Sequence, residues 1–145
     1  MTAQSRRSGD RCRIYRHSHW TDTVLCAAAA GLPIDYSRYR GALEPIRDDV
    51  WAVLDRAPRE AKGVLMALRE GRVDGSSYSG TCACLIGTIA NLRHCDYEVL
   101  TPDESRPAER FFLAIRPGDT PENSEPCRIA AEWVSAWIAR AEVST

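Results

Sequence analysis

The spacing of hydrophobic positions predicts helices along most of the chain. From Pro45 to Ala57 the apolar residues recur every three or four positions, which is the spacing of one helix face. Pro58 then opens a second helix, and Gly71 is suited to the left-handed stop that ends it. The two segments therefore predict a helical hairpin or corner. The apolar positions of the first helix are Ile46, Val50, Val53, Leu54 and Ala57.

The N-terminal part is less regular. Thr21 or Asp22 can cap a helix through Ala30, and residues 35–43 predict a second, short helix. Residues 11–20 alternate enough to be compatible with one short strand, while residues 1–10 lack any period and predict a loose arm.

The middle of the chain predicts the centre of the fold. A loop rich in glycine and serine, residues 74–80, leads into a run without charge from Thr81 to Leu92. A helix over about residues 80–94 would place Cys82, Leu85 and Ile89 on one side and small residues on the other. Because both sides are suited to packing, we expect this helix to be buried at the centre.

Two further segments complete the predicted helices. The sequence Thr101-Pro-Asp-Glu104 fits a capping box, so a helix is expected to start there, to bend or restart at Pro107 and to end at Pro117-Gly118. A last helix begins near Thr120-Pro121 and carries a wide apolar stripe. The fold class is therefore mainly α: a compact bundle of about five to seven helices in one domain, residues 11–145, behind the arm.

Composition and charge narrow the possible functions. The chain of 145 residues is 44% hydrophobic and 27% charged, with a net charge of −1, so neither a disordered protein nor a strong polyanion binder is indicated. The longest weakly polar run, residues 24–34, is too short to cross a bilayer and contains Pro33. The first twenty residues lack the apolar centre of a secretory signal, so we expect a cytoplasmic protein without a membrane partner.

The six cysteines are best interpreted as buried free thiols in a reducing compartment. Two metal-ligand sets are conceivable, but helical phase would separate Cys82 from Cys84, and no metal or cofactor is predicted. The alternative function is that of a cysteine hydrolase, with Cys82 near a helix N-terminus as the nucleophile. No phosphate-binding loop or other recognised catalytic motif supports an enzyme. The metal sets are Cys82, Cys84, His94 and Cys95, and Cys12, His17, His19 and Cys26.

Binding is the leading interpretation of the polar loops. The segment Arg116-Pro-Gly-Asp-Thr-Pro-Glu-Asn123 combines a charged pair, two prolines and a predicted helix N-terminus. We expect Arg116, Asp119 and Asn123 to contact a ligand or partner, together with Ser76 and Tyr78 of the earlier loop. A second alternative is nucleic-acid binding through the arginine-rich arm. Its arginines are Arg6, Arg7, Arg11, Arg13 and Arg16.

Residues 74–91 and 106–123, followed by the tryptophan-bearing terminal helix, resemble a group of small uncharacterised proteins encoded in bacteriophage and prophage genomes. The resemblance covers Gly71 to about Ala141. It implies a phage accessory protein in the bacterial cytoplasm, but it supplies no catalytic residue. Our expectation is a non-enzymatic protein that binds a host or viral protein or captures a small ligand.

Overall fold

The computed structural model describes residues 19–144, and within them the chain forms six α-helices that pack into a compact bundle. Short 3₁₀ turns at Tyr36–Tyr39, Pro58–Glu60 and Tyr97–Leu100 connect some of them. The predicted mainly helical fold class is thereby confirmed. The helices are α1 (His19–Ala30), α2 (Arg40–Asp55), α3 (Ala61–Arg69), α4 (Leu85–Arg93), α5 (Pro107–Phe112) and α6 (Glu125–Ser144).

The terminal helix closes the bundle by packing on α3 and α2, while α5 packs between α1 and α2. The two adjacent aromatic rings of α5, Phe111 and Phe112, are completely buried, as are Ile46 and Leu54 of α2. Helix α4 lies against α3 and α5, and every residue from Ala83 to Ala90 is buried. The prediction of a buried central helix therefore holds for its position in the core.

The central helix starts later than the sequence predicts. Its first residue is Leu85, not Gly80, because residues 74–84 form a compact loop with its own hydrogen bonds. The Asp74 amide donates to the Ala83 carbonyl at 2.9 Å, and the Cys84 amide donates to the Ser77 carbonyl at 2.7 Å. Cys82 and Cys84 consequently precede the helix, and Cys84 is its N-cap.

Two N-terminal predictions also need correction. Residues 19 and 20 belong to α1, so the end of the expected strand at 11–20 is helical; its remainder and the arm lie outside the described residues. Helix α2 begins at Arg40, which places Pro45 inside the helix instead of in its first turn. The helix expected over residues 35–43 is divided: residues 36–39 form a 3₁₀ turn capped by Asp35, and residues 40–43 belong to α2.

The predicted capping box at Thr101 does not form. Thr101 has a left-handed backbone with φ of 50°, and the Asp103 carboxylate accepts hydrogen bonds from the Ser105 amide and hydroxyl instead. Helix α5 starts only at Pro107, the position where the sequence predicts a restart, and it ends at Phe112, before Pro117. The last helix begins at Glu125 instead of near Thr120.

Candidate ligand-binding cleft

The two loops predicted to bind a partner lie side by side. We call residues 70–84 the first loop and residues 113–124 the second loop. The Gly118 amide donates to the Gly71 carbonyl at 2.8 Å, and the Gly75 amide donates to the Ile115 carbonyl at 2.9 Å. Residues 40 positions apart in sequence are thus joined through backbone atoms.

Most of the predicted contact residues stabilise these loops. The Ser76 amide donates to the Asp74 carboxylate at 3.0 Å, which closes an Asx turn, and the Ser76 hydroxyl donates to the same oxygen at 2.6 Å. The Asp119 carboxylate accepts from the Arg116 amide at 2.9 Å, and the Asn123 side chain accepts from the Thr120 amide at 2.9 Å. The Arg116 guanidinium is exposed and forms no ion pair with another described residue, so a contact through Arg116 remains a prediction.

Tyr78 has a different role, because its hydroxyl donates to a buried acid, Glu109, on α5. Glu109 is only 5% exposed, and its second carboxylate oxygen accepts from the Asp103 amide at 2.9 Å. The ring of Tyr78 also stacks on Tyr97, with centroids 4.9 Å apart and planes 7° from parallel. Glu109 therefore connects the first loop with the segment that carries the 3₁₀ turn at Tyr97–Leu100.

Burial controls the acidity of this cluster. It raises the pKa of Glu109 above its ordinary value, although the hydrogen bonds from Tyr78 and Asp103 act in the opposite direction. Burial also raises the pKa of Tyr78, and the bond to Glu109 adds to that shift. The Cys84 thiol, buried nearby, has its pKa raised to about 11, mainly by desolvation. Burial therefore disfavours the charged form of all three groups.

We expect Glu109 to make stability fall as the pH rises. Below its ordinary pKa of 4.5 the Glu109 carboxyl is protonated in both the folded and the unfolded protein. Above that value the unfolded chain releases the proton, whereas the folded protein retains it until its own higher pKa is passed, so the folded state loses stability over that interval. Urea unfolding from pH 4 to pH 8 gives the free energy of unfolding of wild type and of Glu109→Gln. As the pH rises, the variant should become more stable relative to wild type. A constant difference would contradict the raised pKa.

A cleft of about 310 Å³ lies beside this cluster, between α2, α4 and the Tyr97–Leu100 turn. Its apolar floor is formed by nearly inaccessible side chains, and Val99, 70% exposed, stands at its edge. Three arginines line the same cleft. Its lining residues are Val53, Arg56, Ala57, Ile86, Ile89, Arg93, Val99, Leu100, Thr101 and Arg106.

Two of the three arginines are held by ion pairs. Arg106 donates twice to Asp49, at 3.0 and 2.8 Å, and the same carboxylate accepts from the Ala108 amide at 2.8 Å at the start of α5. Arg93 donates to Glu60 at 3.1 Å and to the Arg56 carbonyl at 2.8 Å. Both carboxylates are largely buried, with side chains 11% exposed for Asp49 and 12% for Glu60.

The third arginine is available for a ligand. Within residues 19–144 the Arg56 guanidinium has no carboxylate partner. Three arginines line the cleft, and two of them are paired with carboxylates. The cleft therefore has one net positive charge, at Arg56, together with an apolar floor. An anion with an apolar body matches this arrangement.

No family model, curated protein or solved structure matches this chain. The candidate site therefore depends on the geometry of the molecule itself.

A larger cleft, of about 420 Å³ between the start of α2 and the start of α6, lacks such a charge. Three arginines there face three glutamates, and Arg128 is already bonded to Glu125 and Glu132 at 3.2 and 2.9 Å. Its charges balance within the cleft, so it offers no comparable preference for an anion.

The structure lends little support to the cysteine chemistry considered above. Cys82 precedes α4, and within residues 19–144 no histidine is hydrogen-bonded to it. The N-cap position belongs to the buried Cys84, whose thiol accepts from the Gly87 amide at 3.4 Å. The described part of the chain contains no cluster of three potential metal ligands. The arm with Arg6 to Arg16, and also Cys12 and His17, lie outside the described residues.

The sequence predictions missed the cleft, although one signal was present. Asp49 is three residues from Ile46 and four from Val53, on the apolar face of α2. A carboxylate at that position requires a buried partner, which is Arg106. The other charged residues of the site, Glu109, Arg56 and Arg93, carry no comparable sequence signal.

Proposed function

We propose that this protein is a non-enzymatic binding protein that captures a small anion with an apolar body in the arginine-lined cleft. The observation that carries the proposal is that Arg56, whose guanidinium has no acidic partner within residues 19–144, is one of the residues that line a cleft with an apolar floor. The absence of a paired nucleophile and base among those residues favours capture over catalysis. Within residues 19–144 no helix has the length and hydropathy needed to cross a membrane.

The resemblance of residues 71–141 to phage and prophage proteins adds a setting to this proposal. We propose that the capture takes place in the bacterial cytoplasm, where the protein acts as a phage accessory factor. A protein partner of the exposed Arg116 is compatible with this role, since no residue of the second loop is among those that line the cleft.

Replacing Arg56 by glutamine tests the proposal. Isothermal titration calorimetry with octanoate and octyl phosphate, two anions with the same apolar chain, should show binding to wild type that is about ten- to a hundredfold weaker in Arg56→Gln, since a hydrogen bond to a charged group is lost. Arg59→Gln is the matched control, because Arg59 is exposed, three residues away and not part of the cleft lining. Failure of both anions to bind wild type, or equal losses in the two variants, would contradict the proposed function.

A further inference from the structure

We infer that the ligand is a monoanion, a carboxylate on an apolar group of about eight carbons. This inference rests on the proposed function and adds the charge and the size of the ligand. It follows from which arginines can be released, how much charge the cleft holds and how large it is.

The paired arginines cannot readily be released to bind a ligand. The Asp49 carboxylate accepts two hydrogen bonds from Arg106 and one from the Ala108 amide. An anion that displaced Asp49 would therefore have to replace it as the acceptor for all three donors. Arg93 is fixed at two points, the Glu60 carboxylate and the Arg56 carbonyl. Only Arg56 is left to pair with an incoming anion.

One available guanidinium favours a single negative charge. A carboxylate can accept two parallel hydrogen bonds from one guanidinium, and the charges then cancel. A phosphate monoester carries a charge of about −1.5 to −2 at neutral pH, so part of its charge would remain uncompensated above an apolar floor. Glu109, the other acid near Arg106, is bonded to Tyr78 and Asp103 and does not line the cleft.

The dimensions of the cleft limit the apolar part. A volume of about 310 Å³ accommodates roughly ten heavy atoms, at about 30 Å³ for each water-sized group. Octanoate has that size. Its chain would cover Ile86 and Ile89 on the floor and reach the exposed Val99 at the edge.

Calorimetry with a panel of eight-carbon probes at pH 7.5 tests the charge. Octanoate and octyl sulfate, both monoanions, should bind wild type at least about tenfold more tightly than octyl phosphate, whose head group has the shape of the sulfate but more charge. The preference of wild type for octanoate over the neutral octanamide should disappear in Arg56→Gln and persist in Arg59→Gln. Octyl phosphate binding as tightly as octyl sulfate would overturn the inference while leaving the proposed function intact.

A series from butanoate to dodecanoate tests the size. Affinity should rise about fourfold for each methylene group until about eight carbons fill the cleft, and should change little beyond that length. An unbroken rise through dodecanoate would overturn the inferred size, because it would indicate an open apolar surface instead of a bounded cleft. If no member of either panel binds, the proposed function itself fails.

Discussion

Replacing Gly75 by alanine is expected to lower the free energy of unfolding by about 3 kcal/mol, because the added methyl group has no space. An ideal Cβ on Gly75 would lie 1.7 Å from the Phe112 carbonyl oxygen and 2.7 Å from the Leu113 nitrogen. Both obstacles are backbone atoms at the end of α5, which cannot move aside as a flexible side chain can. The first loop would have to shift, and the Gly75 hydrogen bond to Ile115 would break.

Gly41→Ala is the matched control, since nothing lies within 4 Å of its Cβ position and it sits in helix α2. There, alanine should be neutral or stabilise the protein by up to about 1 kcal/mol through helix propensity. Urea unfolding followed by circular dichroism measures both variants. A loss below about 1 kcal/mol in Gly75→Ala would show that the first loop is not held against α5 as the structure describes.

The reason that Gly75 matters also explains which parts of the fold could be predicted. The apolar periodicity of α2 and α3 is a local property, and both helices were predicted from it, although α2 starts at Arg40 and α3 starts only at Ala61, after the 3₁₀ turn at Pro58–Glu60. The first loop was predicted as a loop rich in glycine and serine that contacts a ligand or partner through Ser76 and Tyr78. Its order comes from contacts with Ile115 and Phe112, about forty residues away, which no local pattern records.

The start of α4 illustrates the same limit. Thr81 to Leu92 has no charged residue, so hydrophobicity alone could not separate the end of the loop from the beginning of the helix. Hydrogen bonds from Asp74 and Cys84 hold residues 83 and 84 extended. The Thr101 capping box does not form for a similar reason. Glu109 accepts a hydrogen bond from the Asp103 amide, which fixes that segment in another conformation.

The candidate site was less accessible to sequence reasoning than the fold. Its charges come from residues spread between Asp49 and Arg106, and among them Asp49 alone has a signal in its local sequence. Tyr78 was chosen from sequence as a contact residue, but the structure gives it an internal partner, Glu109. Only tertiary structure shows which of the three arginines in the cleft lacks a carboxylate, and that property defines the proposed ligand.

Replacing Asp49 by alanine is the second substitution with a large expected effect, a loss of about 3 kcal/mol in the free energy of unfolding. The Arg106 side chain is only 17% exposed and would lose the carboxylate that accepts two of its hydrogen bonds. The Ala108 amide at the start of α5 would lose its acceptor as well. Asp48→Ala is the matched control: its carboxylate is 62% exposed in a surface pair with Arg47, so its removal should cost less than about 1 kcal/mol.

The milder variant Asp49→Asn tests the charge preference of the cleft for its ligand instead of the stability of the fold. Its amide oxygen can still accept from the Ala108 amide, but the negative charge beside Arg106 is removed, so the net charge around the cleft rises by one. Octyl phosphate should then bind at least about as tightly as octyl sulfate, the reverse of wild type, since a dianion now matches the available charge. Calorimetry on the folded variant gives the ratio of the affinities for octyl phosphate and octyl sulfate, with Asp48→Asn as control. An unchanged ratio would mean that Asp49 stabilises the fold without setting the charge of the cleft.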